Sequence, residues 1–146
     1  MCCIFGVGLF KGHKLRDNDA LIGAVSRLFQ EAEVGGRRAS GISILREKTA
    51  HVLRRPMAAS ALVETEEYID FMTDNIDVKA DTNPLMSIIG HCRLNTQGSP
   101  SNNLNNHPQV IDHIIGVHNG HISNNHELFK QFEKVITRIA EVDTEI

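Results

Sequence analysis

The sequence contains no tryptophan, a single tyrosine and no surplus of basic residues. Aromatic residues make up 5% of its 146 residues, so an aromatic platform for stacking bases or sugars is not expected. Fifteen Lys and Arg against eighteen Asp and Glu give a net charge of −3, which disfavours a nucleic-acid-binding protein because such proteins usually carry a basic face. With 41% hydrophobic and 23% charged residues, the composition is typical of a single globular domain.

Cysteine is also scarce, and long apolar runs are missing. Cys2, Cys3 and Cys92 form an odd set with two adjacent members, which is not a disulfide framework and favours a reducing compartment. The apolar run 2–10 is followed, not preceded, by lysines, the reverse of the order in a secretory signal. No stretch approaches the roughly 20 apolar residues that span a bilayer. We therefore expect a soluble, cytoplasmic protein with no membrane or nucleic-acid partner.

Hydrophobic spacing predicts a mixture of strands and helices in one domain. Asp17 or Asn18 can cap the first helix, Ser60 opens the second, and Ser123 can cap the third. Asn119–Gly120 is a strong short-range signal for a tight turn with positive φ. The predicted strands are 2–10, 40–45, 51–54, 87–91 and 110–118, and the predicted helices end near Gly35, Met72 and Lys134.

Residues 87–126 differ from the rest of the chain. Among these forty residues only Arg93 and Asp112 carry a formal charge, although six of the eight histidines lie there. A lone arginine among neutral hydrogen-bonding side chains indicates a site for one anionic group, and Arg93 could form a bidentate pair with a substrate carboxylate. The alternative interpretation is a hydrated, Asn-rich loop with an ordinary surface arginine.

Cys2 is a candidate nucleophile because it directly follows the initiator methionine. If Met1 is removed, a thiol and a free α-amine belong to the same residue, and a fraction of such amines is unprotonated near neutral pH. The amine can then act as general base for its own side chain, directly or through one water. The alternative is a small hydrophobic residue that opens a buried strand.

Acyl transfer to a thiol also needs hydrogen-bond donors at the developing oxyanion. Asn119 could supply a side-chain NH₂ and Gly120 a backbone N–H, although a plain hairpin turn is the alternative. Asp143 could hold a substrate ammonium group, or it could be a solvated acid. A metal site is a further alternative, but no cysteine pair has the C-x-x-C spacing of zinc sites, and we expect no metal and no cofactor. Its candidate ligands would be Cys2, Cys3, Cys92, His91, His118, His121 and His126.

Six short motifs occur in one order along the chain. Together they resemble the class II glutamine amidotransferases, the N-terminal-nucleophile glutaminases, and are most similar to the glutaminase domain of glucosamine-6-phosphate synthase. The resemblance covers nearly the whole chain and is thinnest between Arg46 and Met86. Each motif is weak alone, whereas six in order are specific. The motifs are the opening MCCIFG, GRRASGISI at 36–44, GHCRLNTQG at 90–98, NNHP at 105–108, VHNGHISN at 117–124 and DTE at 143–145.

The resemblance implies a glutaminase mechanism with Cys2 as the nucleophile. Cys2 would attack the side-chain amide of L-glutamine, a thioester would form with loss of ammonia, and water would release glutamate. The α-amine of Cys2 is the implied base, and Asn119 (side chain) and Gly120 (backbone N–H) form the implied oxyanion hole. Ammonia would pass to a separate synthase or acceptor domain or to a partner chain, and a homo-oligomer is compatible with this arrangement.

The same resemblance implies substrate-binding roles and a fold. Arg93 would clamp the α-carboxylate of glutamine, Thr96 would hydrogen-bond the bound amino acid, and Asp143 would take the α-ammonium group. The implied fold is α+β, the four-layer αββα sandwich of N-terminal-nucleophile hydrolases, with the nucleophile at the start of a central strand. The family's domain normally continues beyond the DTE motif, so residues 1–146 are expected to be one glutaminase domain truncated at its C-terminus.

Several features depart from the family pattern. The acidic residue expected in the RG-x-D-type block is missing, because residues 37–39 read RRA. Cys3 stands where the family normally has glycine, Leu94 where its most similar members have an aromatic residue, and Gln97 where a histidine is frequent. None of these changes removes a proposed catalytic group, but a side chain at Cys3 can crowd the nucleophile. The second hypothesis is therefore a catalytically degenerate module of the same fold, which binds glutamine or a partner chain without turnover.

Overall fold

The computed structural model describes residues 2–78, 85–94, 97–135 and 137–145. These residues form an antiparallel four-stranded sheet, a two-stranded hairpin and four helices, so the predicted α+β class is confirmed. The strands are β1 (Cys3–Leu9), β2 (Ala39–Arg46), β3 (Thr49–Arg55), β4 (Met86–Arg93), β5 (Gln109–Ile111) and β6 (Ile114–Gly116). The helices are α1 (Asn18–Ala32), α2 (Ala59–Leu62), α3 (Glu66–Asn75) and α4 (Asn125–Phe132). Short 3₁₀ turns lie at Glu33–Gly35, Asn103–Asn105 and Asp143–Glu145.

The four-stranded sheet has the order β1-β4-β2-β3, and each neighbouring pair is antiparallel. Strand β4 therefore lies between β1 and the β2–β3 hairpin. In the register of the sheet, Cys92 of β4 lies opposite Cys3 on one side and opposite Ser40 on the other. Directly opposed residues point to the same face, so these three side chains share one face of the sheet. This pairing places Cys2, one residue before β1, beside the end of β4.

Helices α1, α2 and α3 cover one face of the sheet and enclose the hydrophobic core. The ring of Phe29, at the centre of this core, lies 5.4 Å from the ring of Phe5 and 6.2 Å from that of Tyr68, measured between centroids. The hydroxyls of Tyr68 and Ser26 form a hydrogen bond of 3.0 Å, which satisfies the one polar atom that the tyrosine brings into the core. The fully buried apolar side chains of the core include Val25, Phe29, Ile42, Ile44, Leu62 and Met72.

The opposite face of the sheet is only partly covered. The β5–β6 hairpin lies over it, and a cavity of about 410 Å³ lies between hairpin and sheet. Ile4 and Leu45 belong to this face and are 40% and 39% exposed. The cavity is lined on the sheet side by Ser43, Leu45, Ser87 and Ile89 and on the hairpin side by Val110 and Ile115. The sheet thus buries one face under helices and leaves the other accessible.

The first helix and the first three strands lie where the spacing predicts them. Asp17 is the N-cap of α1, since its Oδ1 accepts hydrogen bonds from the backbone N–H groups of Asp19 at 3.0 Å and Ala20 at 3.2 Å. The predicted ending of this helix near Gly35 is also confirmed, because a 3₁₀ turn follows α1 and ends at that glycine.

The single helix predicted from Ser60 to Met72 is wrong. Helix α2 ends at Leu62, and Thr65 then caps a separate helix, α3, by accepting the N–H of Tyr68 at 3.2 Å. The Thr65 hydroxyl also donates to the carbonyl oxygen of Leu62 at 2.7 Å. A threonine that bonds to the backbone on both sides offers an alternative to continuing the helix, and this divides the segment into two helices.

The single strand predicted over 110–118 is wrong as well, because this segment contains the hairpin of β5 and β6. Asp112 occupies the turn with φ at 49°, a left-handed conformation that aspartate tolerates better than most residues. Asn119–Gly120 does not form the predicted turn, and neither residue has positive φ. Helix α4 has Asn124 at its N-cap without a side-chain cap, so the predicted cap at Ser123 is also wrong.

In the described ranges, no helix combines the length and apolar character required to cross a lipid bilayer.

Candidate active site

The thiol of Cys2 lies at the end of the central strand β4. Its Sγ is 3.3 Å from both the backbone nitrogen and the carbonyl oxygen of Leu94, the residue that follows β4. The N–H of Leu94 donates to the sulfur, and the thiol can donate to the carbonyl oxygen. Pairing of β1 with β4 brings these two residues together across 92 positions of sequence. A half-buried sulfur that accepts a backbone N–H is therefore fixed at the mouth of a small cavity.

Asn119 and Gly120 lie next to Cys2, although they do not form the predicted turn. The Asn119 Nδ2 donates to the carbonyl oxygen of Cys2 at 2.5 Å. Gly120 lines the same cavity as Cys2, and a Cβ added at Gly120 would lie 2.6 Å from Nε2 of His118. A side chain at position 120 would thus collide with a neighbouring ring, and glycine leaves the backbone accessible from the cavity.

Arg93 is the last residue of β4 and is 4% exposed. Its guanidinium donates to Oδ1 of Asn106 at 2.8 Å, to the carbonyl oxygen of Gly98 at 3.1 Å and to the carbonyl oxygen of Gln97. Burial lowers the pKa of Arg93, because desolvation disfavours the charged form. The alternative interpretation of Arg93 as a surface arginine is wrong. The described contacts use three of its five N–H donors, which leaves two for another acceptor.

Asn106 orients the Arg93 side chain and is itself buried. Its Nδ2 donates to the carbonyl oxygen of Pro100 at 2.8 Å and to Oδ1 of Asn103 at 3.0 Å. Because the amide nitrogen has these two acceptors, its oxygen faces the guanidinium. The asparagine-rich stretch is therefore, at this position, a hydrogen-bonded support for Arg93.

Asp143 begins the last 3₁₀ turn and is 6% exposed, so the interpretation as a solvated acid is wrong. Its Oδ2 accepts the backbone N–H of Ile122 at 2.6 Å. The Nδ1 atoms of His118 and His121 lie 3.6 and 3.4 Å from its two carboxylate oxygens. This arrangement holds a carboxylate at the cavity wall with one oxygen bonded to the backbone.

Two buried histidines in the cavity wall, His91 and His107, have no role in the predicted glutaminase mechanism, although His91 is a candidate ligand of the metal alternative. The rings of His91 and His107 pack against each other in a tilted arrangement, with centroids 4.5 Å apart and an interplanar angle of 38°. We refer to this pair as the histidine stack. Burial is the main cause that lowers the pKa of His91 to about 4 and that of His107 to about 3, and neighbouring Arg93 adds to both shifts. Both rings are therefore neutral near pH 7. Their Nδ1 atoms have no hydrogen-bond partner in the described part of the chain.

The cavity has a volume of about 20 Å³. This volume accommodates about one water molecule, so an amino-acid ligand needs the surrounding loops to move. Four of the six predicted site residues line it, Asn119 lies beside it through its bond to Cys2, and Thr96 lies outside the described residues. The lining residues are Cys2, His91, Arg93, Leu94, Gln97, His107, His118, Gly120, Val142, Asp143 and Thr144.

The geometry gives the metal alternative no support. Among residues 2–78, 85–94, 97–135 and 137–145, no three His, Cys, Asp or Glu side chains are grouped so that they could hold a metal ion. The three cysteines are free thiols, and burial raises the pKa of Cys92 to about 12. Cys92 is therefore a protonated thiol of the hydrophobic core at neutral pH.

The curated proteins that match this chain and are described below share one name. No family model matches the chain. The chain is 42% identical over 59 residues to a protein of Escherichia coli (strain K12) named glutamine–fructose-6-phosphate aminotransferase (isomerizing), a match that covers 40% of this chain and 10% of that protein. Proteins of the same name match in Bradyrhizobium diazoefficiens (40% identity over 75 residues, covering 49% of this chain and 12% of that protein) and in Salmonella typhimurium (45% over 60 residues, covering 40% and 10%).

These matches span about a tenth of the length of the curated relatives and less than half of this chain. The predicted resemblance to glutamine amidotransferases is confirmed at that coarse level. Over the matched residues, the chain is related in sequence to glutamine–fructose-6-phosphate aminotransferases.

Proposed function

We propose that the chain is a glutaminase domain of the class II glutamine amidotransferase type, which hydrolyses the side-chain amide of L-glutamine to glutamate and ammonia. The observation that carries this proposal is the convergence of Cys2, Arg93, Gly120 and Asp143 on one cavity. These residues are far apart in the sequence, and each has the chemistry that one part of a bound glutamine requires. The sequence relationship to glutamine–fructose-6-phosphate aminotransferases supports the same reaction.

In the proposed first step, removal of Met1 frees the α-amine of Cys2, and this amine takes the proton of the thiol. The sulfur attacks the amide carbon of glutamine, and the tetrahedral adduct collapses to a thioester as ammonia leaves with a proton from the α-ammonium. A water molecule then adds to the thioester, and glutamate and the free thiol are released. The N–H of Leu94, 3.3 Å from Sγ, stabilises negative charge on the sulfur.

The proposed oxyanion hole consists of the Asn119 side chain and the Gly120 backbone N–H. Asn119 has two N–H donors on Nδ2, and one of them is bonded to the carbonyl oxygen of Cys2. The second donor is thereby held near the nucleophile. The absence of a Cβ at Gly120 keeps its N–H within reach of the developing oxyanion.

Arg93 and Asp143 are the proposed partners of the α-carboxylate and α-ammonium groups of glutamine. Arg93 has two N–H donors beyond its described contacts, and Oδ1 of Asp143 has no backbone donor among the described contacts. A cation and an anion fixed on one cavity wall match the two charges of an amino acid. Thr96 is proposed to hydrogen-bond the same ligand.

The finer fold and partners are also proposals. The accessible face of the sheet, with the β5–β6 hairpin over it, is proposed to be the inner face of a four-layer αββα sandwich. Ammonia is proposed to pass to a separate acceptor domain or partner chain in amino-sugar biosynthesis, in the cytoplasm. A homo-oligomer fits this proposal.

A second candidate function is a glutamine-binding module without turnover. It is favoured by the small cavity and by the carbonyl oxygens of Gln97 and Gly98, which occupy two donors of Arg93. In this alternative the surroundings of Cys2 are retained, but the substrate is not brought to the sulfur.

The test is the intact mass of purified protein before and after incubation with 6-diazo-5-oxo-L-norleucine, a glutamine mimic that alkylates a working nucleophile. We expect loss of Met1 and one adduct on Cys2, with release of glutamate from glutamine in a parallel assay. Cys2→Ala should abolish both, whereas the matched variant Cys3→Ala should retain them. Loss of Met1 with no adduct, together with glutamine binding by calorimetry, would favour the second candidate. An adduct that persists in Cys2→Ala would refute the proposed nucleophile.

A further inference from the structure

A partly buried hydrogen bond links the turn that carries Asp143 to the histidine stack. Nε2 of His107 lies 2.7 Å from Oγ1 of Thr144, the residue directly after Asp143. His107 is 6% exposed and Thr144 is half-buried, so water has limited access to this bond. Because Thr144 and Asp143 are neighbours in a three-residue 3₁₀ turn, fixing the Thr144 side chain also restrains the backbone from which the Asp143 carboxylate projects. This restraint acts together with the direct bond from the Ile122 N–H to that carboxylate.

The histidine stack joins this turn to the segment that carries Asn119. His91 of β4 packs on His107, and Nε2 of His91 lies 3.2 Å from the carbonyl oxygen of His118. A carbonyl oxygen only accepts hydrogen bonds, so His91 donates from Nε2. Two neutral rings thus connect one strand to both loops of the cavity wall, and the His107–Thr144 bond connects them to the turn that carries Asp143.

The far end of the same turn is held separately. Oε1 of Glu145 accepts the backbone N–H groups of Ile139 at 3.0 Å and Ala140 at 2.8 Å. Loss of the Thr144 hydroxyl therefore leaves the turn in place through Glu145, and the expected effect is a change in the aim of Asp143 and not unfolding of the turn.

We propose that Thr144 and His107 are positioning residues that make the site selective for ligands with an α-ammonium group, because their hydrogen bond aims the Asp143 carboxylate into the cavity. This inference rests on the proposed function, since it assigns the ammonium group of the ligand to Asp143. It adds two residues that determine specificity without touching the reacting atoms.

The experiment compares L-glutamine with glutaramate, which has the same amide and carboxylate but no α-amino group. Thr144→Val removes the hydroxyl with nearly the same shape, Thr144→Ser keeps a hydroxyl, and His107→Phe removes the bond from the other side while keeping a stacked ring. In Thr144→Val and His107→Phe we expect kcat/KM for glutamine to fall about tenfold, mainly through KM, the loss expected for one misplaced charged contact. The value for glutaramate should stay within about twofold, and Thr144→Ser should keep the parent's preference.

Equal losses for both substrates would show a merely structural role, and an unchanged preference in Thr144→Val and His107→Phe would show no role. Either result overturns the inference. Binding of both ligands to Cys2→Ala by calorimetry separates the inference from the proposed function. If the parent does not hydrolyse glutamine, Cys2→Ala binds glutamine better than glutaramate, and adding Thr144→Val to Cys2→Ala removes that preference, the inference stands and the proposed reaction fails. If Cys2→Ala binds neither ligand and the parent does not hydrolyse glutamine, both are overturned.

Discussion

The same substitution, glycine to alanine, is expected to have opposite effects at two positions of the chain. Gly36 is buried and has an extended backbone, with φ at 168°, so backbone strain does not enter. A Cβ at Gly36 would lie 2.3 Å from the carbonyl carbon of Arg93 and 2.3 Å from the backbone nitrogen of Leu94. An ordinary contact needs more than an ångström of additional space, and the atoms in the way are backbone, which cannot rotate aside.

Overpacking of this kind costs about 1–3 kcal/mol, and we expect Gly36→Ala near the upper value because two backbone segments must separate. For a chain of this length a loss of about 2–3 kcal/mol lowers the melting temperature by roughly 6–10 °C. Gly23, by contrast, is exposed in the interior of α1 with nothing within 4 Å of an added Cβ. Gly23→Ala should therefore stabilise the protein by about 0.5–1 kcal/mol through helix propensity.

The assay is unfolding of both variants and the parent by heat and by urea, followed by circular dichroism. Gly36→Ala should also slow the alkylation of Cys2, because the displaced Leu94 carries the N–H that contacts the sulfur. A Gly36→Ala protein that melts with the parent, or two variants that shift in the same direction, would refute the close packing deduced at position 36.

Two further predictions concern pH and helix capping. The pKa values of His91 and His107 are lowered to about 4 and about 3 in the folded protein, whereas both rings take up protons near pH 6.5 once unfolded. Below pH 6.5 the unfolded state therefore binds more protons than the folded state, so the free energy of unfolding should decrease as the pH falls from about 6.5 to about 4. Urea titrations at several pH values should show this decrease. His107→Gln should make the decrease shallower, because one of the two histidines is removed. Asp17→Ala should cost about 1 kcal/mol because Asp19 and Ala20 lose their cap, and a urea midpoint equal to that of the parent would contradict it.

Local signals in the sequence were sufficient where one interaction determines the structure. The spacing of apolar residues in α1 and the carboxylate of Asp17 specify that helix without reference to the rest of the chain. The predictions over 60–72 and 110–118 were wrong because apolar periodicity does not register a break of two or three residues. In each case one residue redirects the backbone: the side chain of Thr65 does so through local hydrogen bonds, and Asp112 does so through its left-handed backbone conformation.

Which residues belong to the site could be predicted better than how they are arranged in it. The ordered motifs indicate Cys2, Arg93 and Asp143 together, and the fold brings them to one cavity, although their roles stay predictions. The acceptors of Arg93 at Gln97 and Gly98 are backbone carbonyl oxygens, and residue identity says nothing about where those point. The stacking of His91 on His107 depends on the path of the loop after β4, so a composition rich in histidine could not reveal it.

The strand order also has a consequence for how the chain acquires its structure. Among the described strands, β1 pairs only with β4, and the chain between Leu9 and Met86 must be brought back before that ladder can form. The β2–β3 hairpin closes across two residues, so it can form early, whereas closing the long loop carries a larger entropy cost. We expect β4 to insert late, between β1 and β2, whose facing edges stay unpaired until then. The thiol of Cys2 then acquires its contacts with Leu94 at the end of folding. In nascent or partly folded chains, the thiol lacks the neighbouring groups that are proposed to act with it.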